Sequence, residues 1–149
     1  FLLWEVEPET ARSYTFYEFL TNYHERDNPY ADKATVPSGV GTTAVLDGQQ
    51  RLTSLNIALY GSHAEKKKYA WRNNPDAFPV KRLYLNLVED PPDEELGLKY
   101  DLRFLTDQDA SADAKWFRVG AILELADSGL AIMDELARRG LGGSRDAFE

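Results

Sequence analysis

Residues 42–59, TTAVLDGQQRLTSLNIAL, constrain the fold most, because the spacing of their apolar residues changes at the centre. Residues 42–46 are a short run rich in β-branched side chains, the composition of a strand. Beyond DGQQR the apolar residues Leu52, Leu55, Ala58 and Leu59 recur at helical spacing. Asp-Gly alone is a strong hairpin signal, the centre of a two-residue turn between antiparallel strands. A strand over residues 49–55 would place Leu52 and Leu55 on opposite faces and the polar groups of Gln49, Gln50 and Arg51 on both. A helix gathers Leu52, Leu55 and Leu59 on one side, so the spacing predicts strand, turn and helix.

The same reading extends along the chain. Residues 1–6 have the look of a buried strand, ended by residues 7–10 with Pro8. Phe16, Phe19, Leu20 and Tyr23 fall at i, i+3, i+4 and i+7 and predict an amphipathic helix over residues 13–25, stopped by Asn28-Pro29. Pro37, Ser38, Gly39 and Gly41 make residues 31–41 a loop or turn. Residues 63–79 read as loop with one short strand at 69–71. Residues 81–88 alternate, with Leu83, Leu85 and Leu87 on one face and Tyr84 and Asn86 on the other, and residues 99–105 are the expected partner strand. Trp116, Phe117 and Val119 lead into a helical segment at 122–126, followed by a helix over 130–139 that Gly140 can end. In that helix Asp134 and Glu135 stand four residues ahead of Arg138 and Arg139. Together these elements predict an α/β (α+β) fold, a mixed sheet with flanking helices. They form one domain over residues 1–149, with 119–149 as a helical extension.

Composition bounds the chemistry. An apolar fraction of 43% and a charged fraction of 28% are those of a folded domain. The absence of cysteine excludes disulfides and thiol chemistry and fits a reducing, cytoplasmic setting. No apolar run approaches the roughly 18 residues that span a bilayer, so no membrane partner is expected. A net charge of −8 argues against a surface that is basic throughout, and makes a small phosphate ligand a better expectation than a long polyanion. The chain lacks a starting methionine and begins in mid-pattern, and is therefore read as a piece of a longer protein.

The junction at 47–51 concentrates the polar groups. A glycine turn that opens a helix exposes backbone N–H groups without intrahelical partners, where the helix dipole adds positive character. Such an end binds anions. Arg51 adds a fixed fork of donors suited to phosphate oxygens, or else forms a surface ion pair with a nearby carboxylate. Gln49 and Gln50 can donate or accept, and either suits a ribose hydroxyl, a base edge or an attacking water. Asp47 could hold Mg²⁺, orient a water, or cap the helix. The glycine count, lysine and spacing of a Walker A loop are absent.

AVLDGQQRLTSL resembles the signature of the N-terminal domain of GmrSD-type restriction endonucleases: an apolar strand, DGQQR, then LT and an apolar helix. FLLWEV, LYLNL, YDLRFLT and WFRVGAIL resemble further segments of that family in the same order. The resemblance implies a ParB- and sulfiredoxin-like fold whose strand-to-helix junction binds a nucleotide's phosphates. It also implies defence against phage, with binding or hydrolysis of a nucleoside triphosphate, aided by Mg²⁺, coupled to DNA cutting in the full-length protein. Carried over, Asp47, Gly48, Gln49, Gln50 and Arg51 are the motif. Asp47, Gln49, Gln50 and Arg51 take the catalytic roles, Gly48 to Arg51 contact the nucleotide, and Asp47 is the metal ligand. The family's upstream Gln-Arg element and its downstream His-Asn-His nuclease pattern have no counterpart in this sequence, so cutting is not expected of this segment. A rival expectation is a non-catalytic ParB-like module that binds DNA or a partner protein.

Outside the junction, His24 and His63 read as isolated surface or helix-end residues. Lys66, Lys67 and Lys68 either face solvent near a helix end or touch nucleic acid. Arg72 beside Trp71 could make a stacking platform, although Trp4, Trp71 and Trp116 are all expected in the core. Residues 89–95 read as an exposed acidic turn.

Overall fold

A computed structural model describes residues 1–89 and 98–142. It is a mixed α/β structure with small sheets and several helices. The chain divides into two compact units, Phe1–Phe78 and Pro79–Glu149.

The first unit opens with β1 (Leu2–Val6), then a single helical turn, α1 (Pro8–Ala11), with proline in the first turn, where its missing N–H costs nothing. β2 (Asn22–His24) is followed by β3 (Thr42–Asp47), α2 (Gln49–Tyr60) and β4 (Ser62–Ala64). β1 pairs antiparallel with β3, and β2 pairs parallel with β4. The strand, turn and helix predicted around DGQQR are all present.

Residues 13–25, in contrast, form no helix. Their spacing matched a helical stripe, but the segment is rich in Tyr, Phe and Thr, which favour extended backbone. Its hydrogen bonds go to distant residues: Glu18 N–H to Asp32 O at 2.9 Å and Ala34 N–H to Phe16 O at 2.9 Å, with Asn22–His24 joining β4. β1 is less buried than its sequence suggests, with Leu2 and Leu3 exposed and only Val6 fully inside. On α2 the predicted stripe shifts. Leu55 is exposed, and Asn56 turns inward, its amide donating to Phe19 O, Leu20 O and Thr21 Oγ1.

The expected strand at 69–71 is a turn, and Trp71, 82% exposed, is not a core residue. Trp4 is half-buried against Tyr14, and Trp116 is buried as predicted. His24 and His63 are strand residues, not helix ends. His24 packs at a tilt against Phe78 and its Nδ1 accepts from the N–H groups of Arg26 and Asp27, while His63 stacks on Tyr23. The core of this unit gathers Ala64, Ala77 and Phe78.

The second unit is a three-stranded antiparallel sheet in which β5 (Arg82–Asn86) lies between β6 (Leu102–Leu105) and β7 (Trp116–Arg118). The predicted pairing of the strands at 81–88 and 99–105 holds. The buried face of β5 inverts the hydropathy of the alternation, however: Tyr84 and Asn86 are inside, and Leu83, Leu85 and Leu87 are only half-buried. Polar partners explain the inversion. Tyr84 donates to Asp107 Oδ1 at 2.8 Å, and the Asn86 amide donates to buried Asp101 at 3.2 Å.

α3 (Asp107–Ser111), absent from the sequence reading, starts on Thr106, whose hydroxyl accepts from Asp109 N–H. Residues Val119–Glu124 form a 3₁₀ segment in place of a helix at 122–126. α4 (Gly129–Arg138) ends as predicted, with Gly140 left-handed at φ 76° and Leu141 N–H returning to Leu136 O. Glu135 binds both Arg138 and Arg139, and Arg139 also donates to Trp116 O, tying α4 to β7. From position 90 onward the acidic turn lies outside the described residues. Among those residues no helix is long and apolar enough to cross a membrane.

Two predictions follow from packing and charge. A Cβ at Gly61 would run into the Thr21 carbonyl oxygen, a backbone atom that cannot swing away. Gly61→Ala should destabilise the protein by about 3 kcal/mol in thermal melting, and an unchanged midpoint would refute that close approach. Hydrogen bonds from Arg138, then Arg139, hold the Glu135 carboxyl below the usual glutamate range. Its contribution is therefore present above the ordinary glutamate pKa and lost as pH falls through the lower folded value. Glu135→Gln should cost about 1 kcal/mol at neutral pH, and the gap to the native protein should close in acid. A gap independent of pH would show that the charge is not its source.

Candidate functional site

The DGQQR junction is shaped by two backbone features. The β1–β3 register slips just before it: Leu3 faces Val45, yet Leu2 faces Asp47, so Leu46 is an extra residue in β3. Bulges of this kind re-aim the chain, and they concentrate beside functional sites. Next, Gly48 takes φ 86° and ψ 15° as the residue preceding α2. That left-handed conformation costs an L-residue about 1–2 kcal/mol and glycine almost nothing.

The sequence reading offered Asp47 as a helix cap, and the structure corrects this. Gly48 holds the cap position and no side chain accepts there. Asp47 is the last residue of β3, and its Oδ2 lies 3.4 Å from Arg51 Nη2, one turn into the helix. Both side chains are well exposed, at 70% and 64%. The first ladder bond of α2 runs from Leu52 N–H to Gly48 O, which leaves the N–H groups of Gln49, Gln50 and Arg51 outside the ladder.

The five motif residues are adjacent in space and line, with Leu46, a surface depression of about 340 Å³. The Arg51 guanidinium also lies over the Phe1 ring, 4.9 Å from its centre. Gln50 is exposed, and its carbonyl accepts from Ser54 Oγ. Gln49 stands apart: its amide donates to Val45 O at 2.8 Å, bracing the turn against β3. It lines a second, larger cavity of about 550 Å³ as well, whose wall includes Phe16, Tyr17, Thr35, Thr43 and Thr53. That wall was missed from sequence because residues 13–25 read as a helix. Its cue was the density of Thr, Tyr and Phe, a strand-like composition.

The arrangement offers free N–H donors at a helix start, one cation and one carboxylate. Among the described residues no group of three or more His, Asp or Glu side chains is placed to hold a metal ion. A single carboxylate still suits Mg²⁺, which usually takes one or two carboxylates together with phosphate oxygens and water.

No protein-family model matches the chain, and no curated protein matches it.

Gly48→Ala should lower stability by about 1–2 kcal/mol, the cost of a left-handed L-residue. Its Cβ also meets the Phe1 ring. Gly48→Asn should cost less, because asparagine tolerates that region. Equal losses in thermal melts would assign the penalty to the Phe1 contact and not to φ.

Proposed function

We propose that the β3–α2 junction binds the phosphates of a nucleoside triphosphate. On this reading the chain is a nucleotide-binding regulatory domain, with a ParB- and sulfiredoxin-like fold, of a GmrSD-type DNA restriction endonuclease acting in phage defence in the cytoplasm. The observation that carries the proposal is the left-handed Gly48, which starts α2 so that unladdered N–H groups stand beside the exposed Arg51 guanidinium. The resemblance of AVLDGQQRLTSL to the family signature supports the rest.

In this site Arg51 and the N–H groups after Gly48 hold phosphate oxygens. Gln49 or Gln50 positions the ribose or an attacking water. Asp47 orients that water or holds Mg²⁺, which when bound neutralises phosphate charge. Donors fixed before the reaction, aimed at charge developing on the transferring phosphoryl, are how such a site accelerates hydrolysis. DNA is engaged through the full-length protein. Binding without hydrolysis would make the same site a sensor.

The Asp47–Arg51 contact favours a second, purely structural reading, in which the pair steadies the turn. Its exposure limits that role to about 0–1 kcal/mol. Titration of ATP and GTP with Mg²⁺ into the native protein and Arg51→Ala separates the two. The nucleotide reading expects affinity to fall by about tenfold or more, with little change in melting temperature. Equal affinity overturns the phosphate assignment, and a large fall in melting temperature with binding intact supports the structural role.

A further inference from the structure

Residues 66–74, KKKYAWRNN, carry four cations and no acid in a chain of net charge −8. They follow β4 and share no residue with the DGQQR junction. The backbone of this loop is pinned at many points. Lys66 N–H donates to Glu25 Oε2 at 2.7 Å and Lys67 N–H to Ala77 O at 2.7 Å. Ala70 N–H closes a turn on Lys67 O, the Lys66 ammonium holds Ala70 O, and Arg26 holds Arg72 O. Ala70 packs on the core of Ala64, Ala77 and Phe78.

This fixed loop holds its large rings in solvent. Tyr69 sits at φ 66°, the one non-glycine residue with positive φ among those described, and an outlier for a bulky side chain. Tyr69 is 88% exposed and Trp71 82% exposed. The Lys68 ammonium lies 5.1 Å from the Tyr69 ring centre, and Lys67, Lys68 and Arg72 are exposed. Two open aromatic faces interleaved with cations form the pattern on which single strands stack, the rings taking bases and the cations following the backbone.

We propose that residues 66–74 are a stacking platform for single-stranded nucleic acid. Tyr69 and Trp71 take bases, while Lys67, Lys68 and Arg72 hold phosphates. A duplex presents base edges and not faces, so it gains only the charge contacts. An anionic membrane would meet the same cations, but Tyr69 and Trp71 are the only large apolar side chains among residues 65–76, and no Leu, Ile, Val, Phe or Met joins them to enter the acyl layer.

Fluorescence anisotropy with a labelled oligo-dT of about twelve nucleotides tests this on the whole chain at low salt. Trp71→Ala and Tyr69→Ala should each weaken binding by about tenfold. Combined Lys67→Gln and Lys68→Gln should reduce the slope of log affinity against log salt by about 1.4. Tyr69→Gly guards against unfolding as the cause, because glycine accepts the same φ: its melting temperature should not fall, yet its affinity should. The proposal is overturned by absence of saturable oligonucleotide binding, by native affinity in both ring variants, or by binding to phosphatidylserine vesicles without binding to the oligonucleotide.

Discussion

The first unit depends on the contact between the second half of α2 and the segment just before β2. The Asn56 amide reaches three oxygens of Phe19, Leu20 and Thr21, and Ser62 N–H donates to Thr21 O where Gly61 brings the two backbones together. A side chain at Gly61 would block that approach, and without it β2 and β4 could not pair in parallel. α2 is thus held at its far end by polar contacts and at its near end by β3, which pairs with β1. The position of the DGQQR junction follows from these two anchors. No residue of α2 is fully buried, so apolar packing alone would leave the helix weakly held.

What could be read in the sequence was what is local. The change of period across DGQQR needs no distant partner, and Gly48, Gly140 and the alternation in β5 likewise carry their signals within a few residues. The four-point stripe at Phe16, Phe19, Leu20 and Tyr23 misled because its true partners, Asp32, Ala34 and β4, lie far along the chain. No periodicity encodes them. The wall of the larger cavity was lost for the same reason. On β5 the hydropathy pattern pointed to the leucine face, but Tyr84 and Asn86 are buried because Asp107 and Asp101 receive their hydrogen bonds. Hydropathy counts a polar group as exposed until its partner is known. The inward turn of Asn56 and the outward turn of Leu55 repeat that lesson on a helix.

The same accounting separates what the junction needs for folding from what it does not. Gly48 is required by φ, and Gln49 braces the turn through Val45 O. Asp47, Gln50 and Arg51 are different. Their side chains are exposed, no side chain caps α2, and the one ion pair among them lies in solvent at 3.4 Å, where such pairs contribute about 0–1 kcal/mol. A turn built for stability alone would gain more from apolar residues facing the Phe1 ring than from an exposed ion pair. Three polar side chains instead surround unladdered N–H groups at a helix start, with a bulge before them that re-aims the strand. Folding energetics account for two of the five residues of DGQQR. Of the other three, Gln50 and Arg51 can donate to a ligand that carries negative charge, while Asp47 can meet such a ligand only through a water or a cation, and this surplus of polar groups over structural need is the physical ground for treating the junction as a candidate site.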